Sequence, residues 1–148
     1  DKEDLQPDFA GKEYLLERQL KPEARRDIIE KLAKAGITPT SMMDISDGIA
    51  SDMRHIMKAS GVGAVIALDR LPYSSHLRTV CAEQNWDIYE LATGGGEDFE
   101  LLLTGPDGLD KSVELPLFAI GRIVTGDDLV WTINDEPVDS KFVGYKHF

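Results

Sequence analysis

The stretch from Ser41 to Leu68 restricts the fold more than any other part of the chain. It opens with Ser41-Met42-Met43, a brief run of strand length, and passes through Asp44-Ile45-Ser46-Asp47-Gly48 into a helix whose apolar stripe is Ile49, Met53, Ile56 and Met57. Gly61 stands where that helix should stop, and Ala64-Val65-Ile66-Ala67-Leu68 is a compact apolar run that reads as a second strand. After Leu71-Pro72 comes a further helix carrying Leu77, Val80 and Cys81. Strand, helix, strand, helix is an order that buries its apolar faces by packing helices on a sheet.

The flanks extend this pattern. Ile28, Ile29, Leu32 and Ala35 recur at helical spacing, with Pro22 suited to a first turn and Gly36 to a stop, so a helix is expected over about 22–35. Residues 1–13 read as a linker or frayed start, and Tyr14-Leu15-Leu16 as a short apolar segment, with residues 14–148 forming one domain. Downstream, Phe99–Thr104 reads as a strand closed by the turn Gly105-Pro106-Asp107-Gly108, and Phe118–Val124 and Leu129–Ile133 as two more. The expected fold class is α/β, in the α+β range: a mixed β-sheet with helices packed on it.

A chain of 148 residues suits a single core. Its formal net charge of −11 disfavours nucleic acid, since no basic patch is available to neutralise phosphates. No apolar run is long enough to cross a bilayer, so no membrane role is expected. Cys81 is the single cysteine, which excludes an intrachain disulfide and a cysteine-based zinc site and points to a reducing, cytoplasmic setting. The polar, acidic start DKEDLQPDF is no signal peptide, and the absent initiator methionine implies a cut piece.

Chemistry concentrates in three places. In Asp44-Ile45-Ser46-Asp47-Gly48, at a strand-to-helix junction, two carboxylates flank a hydroxyl. At about 4 Å such carboxylates repel by roughly 1 kcal/mol in water and about 4 kcal/mol at an intermediate dielectric, so a divalent cation between them relieves considerable strain. Oxygen-only ligands suit Mg²⁺, and the Ser46 hydroxyl with the amides of the next helix's first turn would suit a phosphate, so the segment fits Mg²⁺-nucleotide. The bland alternative is that Ser46 or Asp47 N-caps the helix while Asp44 is solvated.

The second place is Gly94-Gly95-Gly96-Glu97-Asp98-Phe99-Glu100, where glycines permit close backbone approach. It is not a P-loop, because acids stand where lysine and Ser/Thr would be needed. Its carboxylates would accept hydrogen bonds from an amino group, hold a metal, or simply be solvated. The third is Gly144-Tyr145-Lys146-His147-Phe148, in which Tyr145 either stacks on a heteroaromatic ring or belongs to a tail that docks on the domain. Arg18, Lys21, Arg25 and Arg26 gather positive charge that meets phosphates or offsets the many acids, and His55 and His76 read as helix-surface residues.

Taken in order, SMMDISDGIASDMRHI, SGVGAVIALDRLP, GGGEDFELLLT, IGRIVTG and GYKHF resemble the C-terminal domain of thiamine-monophosphate kinases, within the wider aminoimidazole-ribonucleotide synthetase-like superfamily. The resemblance runs from about Tyr14 to Phe148. It implies ATP-dependent phosphorylation of thiamine monophosphate to thiamine diphosphate, with Mg²⁺ between the anionic partners and ATP as co-substrate. By position it implies Asp44 and Asp47 as metal ligands, Ser46 as a nucleotide contact, and Glu97 and Tyr145 as contacts to the thiamine moiety. Ala24 replaces the second proline and Lys21 the first arginine of the family's RPxPR-like stretch, and Lys146 replaces the aspartate before the final histidine. The family's N-terminal domain, with its own metal aspartates, much of the ATP site and most of the homodimer interface, is expected to be missing, so the fragment alone should show no appreciable turnover. Two other classes compete: a noncatalytic binding or dimerisation module, and another ATP-dependent synthetase of the same superfamily, for which Glu97 and Tyr145 would have no thiamine ring to hold.

Overall fold

The computed structural model describes residues 9–112 and 114–139. Along the chain, helices α1 (Glu13–Leu20) and α2 (Arg26–Lys34) precede strand β1 (Ser41–Asp44), helix α3 (Ile49–Ser60) and strand β2 (Gly63–Ala67). After one 3₁₀ turn, Leu68–Arg70, come α4 (Ser75–Gln84), α5 (Ile88–Gly94), β3 (Leu101–Thr104), the single turn α6 (Leu109–Ser112), and β4 (Gly121–Val124), β5 (Leu129–Ile133) and β6 (Glu136–Val138). The class is the mixed one expected. The strands divide into an antiparallel pair, β1 with β3, and a four-stranded sheet in the order β4-β2-β5-β6. In the latter β2 runs parallel to β5 and antiparallel to β4, while β5 and β6 are antiparallel.

Helix α3 is the hinge of the core. Ile49, Met53, Ile56 and Met57 lie on one stripe and bury it against Ala64 and Ile66 of β2, Leu102 of β3 and Trp131 of β5. Fully burying such a side chain contributes about 1.5–3 kcal/mol, so this one stripe fixes α3 against both sheets. Gly61 enters the left-handed region at φ +65° and ends the helix where the sequence implies.

The helix expected over 22–35 begins only at Arg26. Residue Lys21 precedes Pro22, a position that disfavours helical backbone, and its φ of −138° ends α1 there. Pro22 therefore separates two helices instead of opening one. At its other end α2 closes as expected: Gly36 at φ +69° donates to Ala33, and Ile37 donates back to Leu32. The strand expected over 99–104 starts at Leu101, because Phe99 takes φ +52° and gives its amide to Ile45 in another loop. The strand expected over 118–124 begins at Gly121, with the Ile120 carbonyl just before it accepting from the Ala67 amide of β2 at 2.8 Å.

Candidate functional site

Strand β1 delivers Asp44 to its exposed end, paired in register with Leu101, and the chain turns through Ile45, Ser46 and Asp47 into α3. At the helix entrance stands Gly48, at φ +96° and with no side-chain cap, so the N-cap alternative for Ser46 or Asp47 does not hold. The loop is held from the other side. Asp52, one turn into α3 and 1% exposed, accepts from the Ser46 amide at 2.9 Å and the Asp47 amide at 3.2 Å through a single carboxylate oxygen. Two of the amides next to the site thus serve an internal carboxylate, and those of Ser51 and Asp52 bond to the Gly48 carbonyl.

The glycine-rich loop lies directly on this turn. Glu97 donates its amide to the Ser46 carbonyl at 2.8 Å, Phe99 donates to Ile45 at 2.9 Å, and the Ile45 amide donates to Glu100 at 2.8 Å. Backbone meets backbone so closely that a Cβ on Gly96 would sit 2.5 Å from the Ser46 carbonyl oxygen, and one on Gly48 would sit 2.8 Å from that of Thr93. Glycine is required at both places by steric exclusion. The two motifs, some fifty residues apart, form one double loop that brings Asp44, Ser46, Asp47 and Glu97 to the same rim.

Electrostatics at the rim are strongly acidic. Ligand atoms of Asp47, Asp52 and His55 lie within 4.8 Å of one another, a grouping that adds Asp52 and His55 to the carboxylate read from sequence and leaves Asp44 outside it. Exposed Glu97, at φ +65°, accepts from Gln19 Nε2 at 3.2 Å. Glu100 receives Arg18 on one oxygen and Arg25 on the other, the latter at 2.5 Å, and Arg25 also bonds Asp27 at 3.1 Å. Asp98 is exposed at the surface, yet partial desolvation by the protein around it raises its carboxyl above the ordinary aspartate range; Arg18 opposes the shift and Glu100 adds to it. The hydrogen bond from Arg25 holds the Asp27 carboxyl below that range. Arg18 and Arg25 thus serve to offset acids. Tyr145 lies outside the described residues.

Sequence reasoning missed three elements of this rim. An acid at position 52 falls on the apolar stripe of α3, and that misplacement was the available signal for a buried, bonded carboxylate. The Gln19 contact and the double arginine on Glu100 carry no local signal, because their partners stand 75 to 82 residues away.

Fold and rim together define a domain of the aminoimidazole-ribonucleotide synthetase-like fold. No family model matches the chain. Compared with curated proteins, it is 34% identical to a thiamine-monophosphate kinase of Aquifex aeolicus over 134 residues, covering 90% of this chain and 41% of that protein. It is 38% identical to one from Escherichia coli strain K12 over 150 residues, covering 95% and 44%. Among solved structures it superimposes on AaThiL complexed with AMPPCP and TMP with a TM-score of 0.76 and 32% identity, over 99% of this chain and 44% of that one. Escherichia coli HypE, a hydrogenase maturation protein, superimposes at 0.60 with 17% identity over 81% of this chain and 40% of its own, a likeness of fold alone. Nearly the whole chain is therefore related to thiamine-monophosphate kinases, and it spans about two fifths of the length of the curated relatives it matches.

Proposed function

We propose that this chain is the C-terminal domain, residues 14–148 after a lead of 1–13, of a thiamine-monophosphate kinase that transfers the γ-phosphoryl group of ATP to the phosphate of thiamine monophosphate. The interlocked double loop carries the reading: it brings a carboxylate-and-hydroxyl motif and a separate carboxylate acceptor to one rim, as a site joining a nucleotide to a second, amine-bearing substrate requires. A relative that superimposes over 99% of the chain was solved with AMPPCP and TMP. In the transfer a phosphate oxygen of thiamine monophosphate bonds to the γ-phosphorus as its bond to the β–γ bridging oxygen breaks, releasing ADP. Such chemistry needs positioning and charge neutralisation more than a protein nucleophile.

Mg²⁺ fits the donor set. Asp44 and Asp47 offer hard carboxylate oxygens, and Asp52 holds the loop that carries Asp47 by occupying its amides. Bound there, Mg²⁺ would neutralise phosphate charge. Ser46 contacts the nucleotide, Glu97 accepts from an amino group of the pyrimidine, and Tyr145 packs against the thiamine moiety. The remaining half of the active site, and the homodimer contact, belong to an N-terminal domain of the same polypeptide, and the setting is cytoplasmic. Among the described residues no helix is long and apolar enough to cross a membrane.

The test joins this chain to the N-terminal part of a related thiamine-monophosphate kinase and follows thiamine diphosphate formation with ATP and Mg²⁺. Asp47→Ala and Glu97→Ala should each lower kcat/KM by about a hundredfold or more. A well-folded but inactive parent would sink the reading.

A further inference from the structure

We propose that Arg18, Arg25 and Glu100 form an ionic clamp that sets the position of the Glu97 carboxylate, with Gln19 as its direct contact, making these four positioning residues for the acceptor substrate. This rests on the reading of Glu97 given above.

Glu97 and Phe99 are non-glycine residues in the left-handed region, at φ +65° and +52°. Each costs on the order of 1–3 kcal/mol and persists only where its surroundings over-determine it. On the inner side the loop is tied by the amides of Glu97 and Phe99 to the turn after β1. On the outer side it is tied by charge. The two oxygens of Glu100 are divided between two guanidinium groups, Oε1 taking Arg18 and Oε2 taking Arg25. Arg18 and Gln19 are neighbours on α1, so anchoring the first on Glu100 delivers the second to Glu97, where its amide nitrogen occupies Oε2 at 3.2 Å. Oε1 is then the oxygen presented to a donor on the substrate.

Helix α1 buries little of its own surface. None of its residues, all of them described, is fully buried, and among the described residues it is further held by the stacking of Tyr14 on His76 of α4, with ring centroids 4.5 Å apart. The Arg18 side chain is 39% exposed, the Glu100 side chain 36% and the Arg25 side chain 24%. Ion pairs so wet add little to stability. Their effect is therefore geometric: they determine where a carboxylate sits, more than whether the domain folds.

The experiment uses the joined two-domain protein and measures KM for thiamine monophosphate and for ATP separately, together with Tm. Gln19→Ala and Glu100→Gln should each raise KM for thiamine monophosphate about tenfold, with KM for ATP and Tm nearly unchanged, since misplacing a binding group by about 1 Å can cost up to a hundredfold. Arg18→Lys should recover part of what Arg18→Met loses, and Arg18→Met with Glu100→Gln should be no worse than the worse single change, as for partners in one network. Unchanged KM for thiamine monophosphate in Gln19→Ala and Glu100→Gln, beside a strong effect of Glu97→Ala, overturns the clamp and leaves the kinase reading intact. A rise in both KM values with a fall in Tm overturns it too, as a general loss of structure. A silent Glu97→Ala in an active parent removes the role of Glu97 on which the clamp depends.

Discussion

Gly48 and Gly96 have no room for a side chain, for two different reasons. At Gly96 the backbone is unexceptional in φ but a methyl would lie 2.5 Å from the Ser46 carbonyl oxygen. At Gly48 a methyl would meet two carbonyls at 2.8 and 2.9 Å, and φ is +96° besides. Gly108, at φ +77°, has nothing within 4 Å of where a Cβ would go. Gly96→Ala and Gly48→Ala should each destabilise by about 2–4 kcal/mol in urea unfolding, combining overpacking with backbone strain. Gly108→Ala should lose only about 1–2 kcal/mol, the left-handed penalty alone. Equal losses at the three positions would show that the double loop is not sterically closed. Asp52 makes a second residue-scale case. Its deletion in Asp52→Ala leaves two loop amides without their charged acceptor, and should lower stability by about 2–3 kcal/mol, with Asp52→Asn retaining part of it. Asp98 argues in the opposite direction. Its folded carboxyl is raised, so the folded state holds the proton more tightly than the unfolded chain, and ionising it at neutral pH works against folding. Because the side chain is exposed and solvent-screened, Asp98→Asn should raise Tm at pH 7 only slightly, and the advantage should shrink as pH falls through the raised folded value and vanish below about 4, the ordinary aspartate range. An advantage that is constant with pH would contradict this cause.

The elements differ in how far the chain announced them. The unit β1-α3-β2 was legible because each boundary carries a glycine or an abrupt change of period, and because the stripe at 49, 53, 56 and 57 is one that only a helix buries. Helix α1 was not, since it has no buried face and draws its hold from Tyr14, Arg18 and Gln19, whose partners on α4 and in the glycine-rich loop lie far along the chain. Helix α5 runs into the glycines and ends at Gly94, where composition argued for a loop, and its start depends on Asp87 accepting from the Tyr89 and Glu90 amides. The three-residue β6 contains Pro137 and is defined by pairing with β5, a long-range fact. At the site, the acids and glycines of both motifs could be read, but not their interlocking. The same difference in anchoring predicts a difference in dynamics. Amides in the second half of α1 should exchange with solvent through a local opening at far lower free energy than those of α3 around Ile56 and Met57, which should exchange only on global unfolding. Native-state hydrogen exchange checks this, and matching opening energies for the two helices would mean that α1 is part of the core unit.

For the molecule as a whole, the formal charge of −11 and the rim just described act together. Self-repulsion of so acidic a domain is relieved by any salt, whereas on the function proposed above a divalent cation held by Asp44 and Asp47 would add a separate, coordinated increment. The two effects separate when Mg²⁺ and Na⁺ are compared at matched ionic strength, because screening depends on ionic strength and coordination does not. A ligand at about ten times its Kd stabilises by roughly 1.4 kcal/mol, which for a domain of this size is about 3–6 °C in Tm. Mg²⁺ should accordingly raise Tm above matched NaCl by an amount of that order. The double variant Asp44→Asn/Asp47→Asn should remain folded in EDTA, and should lose the Mg²⁺-specific increment while keeping its response to NaCl. If instead the parent responds identically to both salts, or the double variant keeps the full Mg²⁺ increment, the cation is held elsewhere and the grouping of Asp47 with Asp52 and His55 becomes the place to look.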